Sequence, residues 1–189
     1  MKNKPYFHPK SLVESKQTVG DGTRVWAFAH VMKGARIGRD CNIGDHAFVE
    51  GGSVLGDRVT IKNGVSVWQE VTIEDDVFVG PNAVFTNDLL PISRARCKFL
   101  PTRVRKGACV GANATLVCGI TVGEYAFIGA GSTVAKDVAP HSLVYGNPAR
   151  SHGFLCRCRK KLKFKGTLAG CACGLKFKKI KDTVKSIAR

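Results

Sequence analysis

The 189-residue chain contains no run of 18 or more apolar residues, so a membrane-spanning helix is not expected. Its first ten residues, MKNKPYFHPK, lack the apolar core of a secretory signal. We therefore predict a cytoplasmic protein, in which the cysteines stay reduced. Acidic side chains are also scarce, because 14 Asp and Glu stand against 30 Lys and Arg.

The excess positive charge is concentrated near the C-terminus. Residues 150–189 hold thirteen Lys or Arg and one acid, Asp182, which gives +12 of the total of +16. The preceding 149 residues carry the remaining +4, an ordinary value for a soluble domain. A basic segment of this kind can meet nucleic acid, a membrane surface or phosphorylated small molecules, and charge alone does not choose among them.

Helical periodicity is absent from residues 19–84, where apolar residues recur every six positions instead. The hexads run VGDGTR, VWAFAH, VMKGAR, IGRDCN, IGDHAF, VEGGSV, LGDRVT, IKNGVS, VWQEVT, IEDDVF and VGPNAV, and the pattern resumes over residues 104–139. Each hexad opens with an aliphatic residue and carries a small or β-branched residue at its fifth position. Positions one and five point to the same side of an extended strand. The repeat predicts an all-β protein built as a parallel β-helix.

Departures from the repeat predict the domain organisation. We expect an N-terminal lead-in or cap over residues 1–18, a β-helix over 19–150 and a separate small module over 151–189. The segment 86–103, TNDLLPISRARCKFLPTR, has no hexad register and is expected to form an external loop; loops of this length are more often functional than idle. In the tail, Leu and Phe alternate with Lys, which predicts a two-stranded ribbon. Helical spacing of Phe177, Ile180, Val184 and Ile187 predicts a short basic amphipathic helix at the end.

Four cysteines of the tail form two close pairs, Cys156 with Cys158 and Cys171 with Cys173. Two such pairs on facing turns could place four thiolates around Zn²⁺. The one-residue gap within each pair is shorter than the usual gap of two to four residues. Two disulfides and free thiols are the alternatives. In a reducing compartment we favour a structural zinc site without a catalytic role.

Several runs besides the hexads carry a family resemblance: HPKSLV, RVWAFAHV, IKNGVSVW, EDDVFVGPNAVFTNDLLPIS, GANATLVCGITVGEYAFIGAGSTV and LVYGNPAR. Over roughly residues 8–150 the chain resembles the left-handed β-helix, or hexapeptide-repeat, acyltransferases. It looks most like the N-acetyltransferases of nucleotide-linked 3-amino sugars. The resemblance implies a left-handed β-helix, acetyl-CoA as co-substrate, a UDP- or dTDP-linked amino sugar as acceptor and a role in surface polysaccharide synthesis. It also implies a homotrimer with active sites between neighbouring subunits, near the mid-barrel loop.

Three residues are the catalytic candidates. The family's FTN run maps onto residues 85–87, so the resemblance implies that Asn87 binds a carbonyl or sugar group, and Asp88 could orient the attacking amine. An Asx turn that starts the loop is the alternative for both. His30 closes the hexad VWAFAH at a coil corner. It could act as a general base or bind the diphosphate or carboxylate of the sugar, and a structural histidine is the alternative.

Cofactor contacts are expected along the second block of hexads. Ala112 and Ala130 lie eighteen residues apart, which is one coil of three hexads, so they should stack on one edge and let a pantetheine arm approach the backbone. The alternative is that small residues are simply what tight coils require. Basic residues could bind the CoA phosphates, or could be solvated surface charges: Lys136 and Arg150 first, then Arg103, Arg105 and Lys106.

No Ser-His-Asp or Cys-His constellation is evident in the sequence. This does not exclude an enzyme, because a thioester is already activated and proximity can supply much of the acceleration. A polar group near the thioester oxygen would stabilise the tetrahedral intermediate.

Two other functions compete with acetyl transfer. A β-helix carbonic anhydrase needs three histidines on one zinc. It is not expected here, because His30 and His46 are sixteen residues apart while His141 and His152 lie outside the repeat. A non-catalytic scaffold whose basic tail binds nucleic acid or another partner is the alternative from a different class. The tail has only three aromatic residues for base stacking, so we do not expect nucleic acid as a partner.

Overall fold

The computed structural model describes residues 3–95 and 97–188. Three parallel sheets run the length of a solenoid, and each full coil adds one short strand to each sheet. On one sheet, for example, His30 pairs with Phe48 and Phe48 with Ser66, at intervals of eighteen residues. Three hexads therefore make one coil, as the repeat predicts. Among the described residues, no helix is long and apolar enough to cross a membrane.

The strands fall into three solenoid sheets and one tail sheet. Sheet A contains β1 (Tyr6–Phe7), β3 (Arg24–Val25), β6 (Asn42–Ile43), β9 (Thr60–Ile61), β12 (Phe78–Val79), β15 (Cys109–Val110), β18 (Phe127–Ile128), β20 (Ser142–Gly146) and β21 (Ala149–Phe154). Sheet B contains β2 (Leu12–Val13), β4 (His30–Val31), β7 (Phe48–Val49), β10 (Ser66–Val67), β13 (Val84–Phe85), β16 (Thr115–Leu116) and β19 (Thr133–Val134). Sheet C contains β5 (Arg36–Ile37), β8 (Val54–Leu55), β11 (Val71–Ile73), β14 (Thr102–Val104) and β17 (Thr121–Val122). The tail sheet contains β22 (Leu168–Gly170), β23 (Lys176–Ile180) and β24 (Thr183–Ala188).

The interior of the solenoid is made of the first and fifth residues of the hexads. Val25, Val31 and Ile43 at first positions are fully buried, and so are Thr23 and Ala29 at fifth positions. The same holds along both blocks, where every first and fifth residue is buried. Positions one and five are four residues apart, so both side chains point to the same face of an extended strand. Large and small side chains therefore alternate in the interior.

The coils stack closely at their corners. At Gly38 an added Cβ would lie 2.4 Å from the carbonyl oxygen of Gly56, so no larger residue fits without moving the next coil. The fourth residue of many hexads has a positive φ, and non-glycine residues such as Phe28 (59°) and His46 (55°) also adopt it. These turns redirect the chain from one sheet to the next every six residues.

Side chains also brace the corner that follows sheet B. The carboxylate of Glu14 accepts the backbone amide of Lys33 at 2.9 Å, nineteen residues later. Two coils on, Glu50 accepts the amide of Gln69 at 2.7 Å in the same way. These residues therefore repeat one structural role along the solenoid.

The solenoid extends beyond the boundaries expected from the hexads. Strands β1 and β2 lie within residues 1–18 and pair in parallel with β3 and β4, followed by a 3₁₀ turn at Lys16–Thr18. The excursion between β13 and β14 covers residues 86–101. At the far end, β21 pairs antiparallel with β20 and continues past residue 150 to Phe154.

The predicted C-terminal helix is wrong, because this segment forms strand β24 in an antiparallel hairpin with β23. Lys181 adopts a positive φ of 53° and turns the chain between the two strands. Phe177 and Val184 point into the core of the tail, whereas Ile180 and Ile187 are exposed. The spacing that suggested a helix is thus met by a hairpin, in which β-branched residues are favoured.

The predicted ribbon is present only in part. Strand β23, which carries Phe177, pairs with β22 as well as β24, so the tail sheet has three strands. The segment that carries Leu162 and Phe164 joins it through single bridges, Leu155 to Lys161 and Lys165 to Leu168.

Candidate active site

His30 lies on the outer face of sheet B, where β4 presents it to solvent. Its Nε2 atom is 2.7 Å from Oε1 of Glu14, and the two side chains are about one third exposed, at 33% and 35%. The register of β2 with β4 makes this contact, because Leu12 pairs with His30 and brings Glu14 beside it. Glu14 is a site residue that the sequence analysis did not identify.

The two carboxylate oxygens of Glu14 have different partners. One accepts the amide of Lys33 and the other meets His30. The Lys33 amide, and after it the His30 side chain, hold the pKa of Glu14 below its usual value. The carboxylate is therefore ionised at neutral pH and fixed in direction. When Nε2 of His30 donates to it, Nδ1 is the nitrogen that remains available for a ligand.

Aromatic rings extend the surface around His30. The ring of His30 meets Phe48 edge to face at 5.4 Å between centroids, and Phe48 meets Trp68 at 5.4 Å. Trp68 is partly buried and packs against the solenoid core. His46 lies elsewhere, stacked on Phe28 at a coil corner with a centroid distance of 4.9 Å.

Asn87 and Asp88 begin the loop between β13 and β14, as expected. The carbonyl oxygen of Asn87 accepts the amide of Leu100 at 2.9 Å, which closes the base of the loop. Within residues 3–95 and 97–188, the side-chain amide of Asn87 makes no hydrogen bond, so it is available to a ligand. Asp88 instead accepts the amide of Leu90 at 3.0 Å, so it forms an Asx turn. Asp88 also raises the pKa of the Cys97 thiol through a hydrogen bond.

The chain does not bring His30 and Asn87 together. On sheet B, β4 and β13 are separated by β7 and β10, in register from His30 to Val84. Three strand spacings amount to about 14 Å along the solenoid. A general base must lie within about 3 Å of the proton that it removes. The two side chains therefore cannot act on one atom within a single subunit.

Ala112 and Ala130 stack at the corner that precedes sheet B, as their spacing predicts. The amide of Gly131 donates to the carbonyl of Ala112 at 2.8 Å, so the two turns are directly superposed. An added Cβ on Gly111 would lie 2.5 Å from the amide nitrogen of Ala130. At Gly131, in contrast, an added Cβ would meet nothing within 4 Å, so the space beside the stacked turns is open to a narrow chain such as pantetheine.

Lys136 and Arg150 line one cavity of about 800 Å³ on top of the last coil. Lys179 and Asp182 of the tail also line it. The side chains of Lys136 and Arg150 are exposed. Three cations and two carboxylates, those of Asp137 and Asp182, line the cavity, and the positive excess suits a phosphorylated ligand. The structure thus brings together the two basic residues that ranked first in the sequence analysis.

Two of the remaining basic candidates, Arg105 and Lys106, are engaged in surface ion pairs. Arg105 contacts Glu74 at 2.7 Å and Glu124 at 3.4 Å. Its neighbour Lys106 lies 3.9 Å from Asp76. These ion pairs join neighbouring coils, so a structural role accounts for the presence of both Arg105 and Lys106.

His141 joins the tail to the solenoid. It is 5% exposed, its Nδ1 lies 3.0 Å from the carbonyl oxygen of Leu155, and its ring meets Phe177 edge to face at 5.1 Å. Burial lowers the pKa of His141. His152 stacks instead on Tyr145, so within the described ranges no three histidines converge as a carbonic anhydrase requires.

The four tail cysteines converge on one point. Their sulfur atoms all lie within 4.8 Å of one another, and they form the only cluster of metal-ligand type found within the part of the chain that the structure describes. The sulfurs are unbonded. This cluster lies in the tail, separate from His30 and Asn87.

The described residues form a parallel β-helix of six-residue repeats, and comparisons with known proteins identify its family. Family models match residues 18–51, as bacterial transferase hexapeptide (six repeats), and residues 101–136, as hexapeptide repeat of succinyl-transferase. The chain is 48% identical over 174 residues to the dTDP-3-amino-3,6-dideoxy-alpha-D-galactopyranose 3-N-acetyltransferase of Aneurinibacillus thermoaerophilus, covering 92% of this chain and 90% of that protein.

Solved structures show the same fold at lower identity. The acetyltransferase domain of PglB from Neisseria gonorrhoeae, in complex with acetyl coenzyme A, has a TM-score of 0.59 at 24% identity, covering 80% of this chain and 58% of that one. The hexapeptide-repeat acetyltransferase VCA0836 from Vibrio cholerae, also with acetyl coenzyme A, has a TM-score of 0.58 at 24% identity, with 65% and 72% covered.

The chain belongs to the hexapeptide-repeat acetyltransferases. The predicted left-handed parallel β-helix and the predicted enzyme class are confirmed. Family membership also decides between the two classes of function, because the relative that matches nearly the whole chain is an enzyme and not a scaffold.

Proposed function

We propose that the protein transfers the acetyl group of acetyl-CoA to the 3-amino group of a nucleotide-linked amino sugar, for surface polysaccharide synthesis. The observation that carries this proposal is the 48% identity to a dTDP-3-amino-3,6-dideoxyhexose acetyltransferase over 92% of the chain. The same relative makes a dTDP-linked 6-deoxy sugar the first choice of acceptor over a UDP-linked glucuronate. The reaction belongs in the cytoplasm, where acetyl-CoA and nucleotide sugars are available.

Acetyl-CoA is assigned to the C-terminal half of the solenoid. The cavity lined by Lys136, Arg150 and Lys179 suits the phosphates of CoA, because these three cations outnumber its two carboxylates, Asp137 and Asp182. The edge formed by Ala112 and Ala130 suits the pantetheine arm, since an added Cβ on the neighbouring Gly131 would meet nothing within 4 Å. One coil below Ala112 lies the level of Asn87, on the other edge of sheet B.

Asn87 is assigned to the reacting centre. Its amide is not used within the described residues and can donate to the thioester oxygen or bind the sugar. A donor at that oxygen would stabilise the tetrahedral intermediate. Asp88 is assigned to the shape of the loop, because its carboxylate is occupied by the Leu90 amide.

His30 is assigned to binding of the nucleotide sugar. It lies about 14 Å along the solenoid from the level of Asn87, too far for proton transfer at the same atom. A nucleotide diphosphate sugar is long enough to reach from one level to the other along sheet B. Glu14 positions the imidazole for this contact, and Phe48 provides an apolar surface beside it.

No strong base is required for the chemistry. The neutral amine attacks the thioester carbonyl carbon, the C–S bond breaks, and the departing CoA thiolate takes the proton that the amine nitrogen loses. Amide and CoA thiol are the products. Correct alignment of the two substrates is the main demand on the protein.

A homotrimer with active sites between subunits is part of the proposal. The loop between β13 and β14 carries Leu89, Leu90 and Ile92, which are 53%, 80% and 72% exposed in the single chain. Such a group of exposed apolar side chains is typical of a protein interface. A threefold axis parallel to the solenoid keeps each residue at its own level, so the separation of His30 and Asn87 would persist in the trimer.

A thiol-release assay tests the function. The protein is mixed with acetyl-CoA and, separately, with dTDP-linked and UDP-linked 3-amino sugars, and with the corresponding 3-hydroxy sugars as controls. We expect CoA release only with the amines, fastest with the dTDP-linked 6-deoxy sugar. Absence of release with every amine in the panel would contradict the proposal. Light scattering on the same sample should give three chains per particle.

A further inference from the structure

The tail contains two turns that face each other across a small space, each with a Cys-x-Cys sequence. The sulfur of Cys156 lies 3.4 Å from that of Cys173, and the sulfur of Cys158 lies 3.4 Å from that of Cys171. All four sulfurs lie within 4.8 Å of one another. The closest contacts therefore join one turn to the other.

These distances match a tetrahedral metal site. With Zn–S bonds of about 2.3 Å, the edges of the sulfur tetrahedron are about 3.8 Å long. We propose that Cys156, Cys158, Cys171 and Cys173 bind one Zn²⁺, and that this metal holds the tail in its folded form against the end of the solenoid. The site is structural, since it offers four protein ligands and no open position.

The two turns share the same hydrogen bonds. In each, the amide of the first cysteine donates to the carbonyl four residues later, and the amide three residues later donates back to the carbonyl of the first cysteine. A residue of positive φ ends each turn. The bonds are Cys156 to Lys160 (2.9 Å), Arg159 to Cys156 (2.8 Å), Cys171 to Leu175 (2.9 Å) and Gly174 to Cys171 (2.9 Å), and the φ angles are 69° for Arg159 and 88° for Gly174. Two turns of one geometry, facing each other, present two thiols each to a shared centre.

The tail has little else to hold it together. Its core consists of seven buried residues: Phe154, Cys156, Leu162, Ala169, Leu175, Phe177 and Val184. Segments below about 40 residues usually need a disulfide, a metal or a partner to fold. Residues 154–189 also carry twelve Lys or Arg and one acid, so their cations repel one another. A zinc ion with four thiolates has a net charge of −2, which offsets part of that repulsion.

The first turn also places side chains on the solenoid. Arg157, between its two cysteines, lies over the ring of Tyr125 at 5.4 Å, and Arg159 lies over Phe127 at 5.6 Å. The Leu155 amide donates to the carbonyl of His141 at 2.7 Å. The metal therefore fixes the turn from which the tail contacts β18 and its neighbouring corners.

Metal content of the full-length protein tests the proposal. The protein is purified under reducing conditions and dialysed into metal-free buffer, and zinc is measured by mass spectrometry. We expect about one zinc per chain under the four-thiolate arrangement. Replacement of zinc by Co²⁺ should give the thiolate-to-cobalt absorption and the visible bands of a tetrahedral site.

Matched variants locate the site. Cys158→Ser and Cys171→Ser should lose both the zinc and the cobalt bands, whereas Cys97→Ser in the exposed loop and Cys109→Ser on the solenoid should keep them. On the unmodified protein, alkylation should spare the four tail cysteines until a chelator is added, which avoids dependence on the folding of the variants. Reduced protein that binds neither zinc nor cobalt overturns the proposal. So do tail cysteines that react only after treatment with a reductant, because they would then be disulfides.

Discussion

Replacement of Glu14 by glutamine separates the two roles that His30 could have. The carboxylate bridges the Lys33 amide and Nε2 of His30, at 2.9 and 2.7 Å. Glutamine can still accept the Lys33 amide through its carbonyl oxygen, so the corner should be preserved. Its NH₂ group would then face Nε2, which must become the acceptor, and Nδ1 would carry the proton. The substitution thus changes the tautomer and removes the negative partner without removing the imidazole.

The expected effect is on binding. If His30 contacts the nucleotide sugar, Glu14→Gln should raise KM for the sugar about threefold to tenfold, with kcat within about twofold. Exposed ion pairs contribute a factor of about five at most, and hydrogen bonds to charged groups contribute more than tenfold. The pair is about one third exposed, at 33% and 35%, which places it between these cases. Because the Lys33 amide lowers the pKa of Glu14, the difference from the native protein should persist across the neutral pH range and shrink only in acid, where Glu14 becomes protonated.

Steady-state kinetics with the amino sugar and acetyl-CoA varied in turn provide the assay. Glu50→Gln is the matched control, because Glu50 braces the same corner two coils later through the Gln69 amide. It should leave both KM values unchanged. Our assignment of His30 to binding would be refuted by a fall in kcat of a hundredfold or more for Glu14→Gln with KM unchanged. That result would identify His30 as the general base and Glu14 as its partner.

Three further predictions concern other parts of the molecule. Asn87→Ala should lower kcat by about a hundredfold with little change in Tm. Ser93→Ala in the same loop is the control and should leave kcat unchanged. Near-native turnover of Asn87→Ala would exclude this loop as the reacting centre. Lys136→Ala and Arg150→Ala should each raise KM for acetyl-CoA about tenfold in a salt-dependent manner. Lys4→Ala at the opposite end of the solenoid should leave this KM unchanged. Equal effects of all three substitutions would contradict the assigned phosphate site. Burial lowers the pKa of His141, so the unfolded state binds more protons below the ordinary histidine value of about 6.5. Stability should therefore be full above that value and fall as pH decreases through it, and His141→Gln should flatten this dependence of Tm on pH.

Most of the solenoid could be predicted from the sequence because its pattern is local and redundant. Each hexad states the same rule, with an aliphatic residue first and a small or β-branched residue fifth, and all of these positions are buried. Single irregular residues, such as Cys41 at a fifth position, do not obscure the rule. The register between coils follows from the period together with the number of hexads per coil, since three hexads return the chain to the same sheet.

In the tail, the spacing of apolar residues does not decide between a helix and a hairpin. Phe177, Ile180, Val184 and Ile187 fit the spacing of a helix, but a turn at Lys181 lets the same residues form a hairpin. Over eleven residues, either element can bury Phe177 and Val184. The choice depends on pairing with β22 and on contact with His141, and both involve residues distant in sequence.

Glu14 was missed for a related reason. Residues 1–18 have too few aliphatic positions to display the hexad, so they were expected to form a lead-in. In the structure residues 6–18 form the first coil, and Leu12 pairs with His30. Extending the eighteen-residue register backwards from His30 to Leu12 would have placed Glu14 beside the histidine. The eighteen-residue spacing therefore contains the information that places Glu14, whereas the residue types of this segment do not display the hexad.

Each coil advances the chain by one strand spacing of about 4.8 Å along the solenoid axis. The number of coils between two candidate residues therefore gives their distance along that axis. Asn87 and Ala112 lie on adjacent coils, at opposite edges of sheet B, so a thioester on the alanine edge lies within about one strand spacing of the level of Asn87 along the solenoid axis. His30 lies three coils further from the C-terminal end. A short acceptor could touch only one of these levels, whereas an amino sugar joined to a nucleotide diphosphate can place its amine at Asn87 and its charged or aromatic part near His30 and Phe48. The distance between the two candidates, which rules out a shared proton transfer, is therefore the feature that fits a nucleotide-linked substrate.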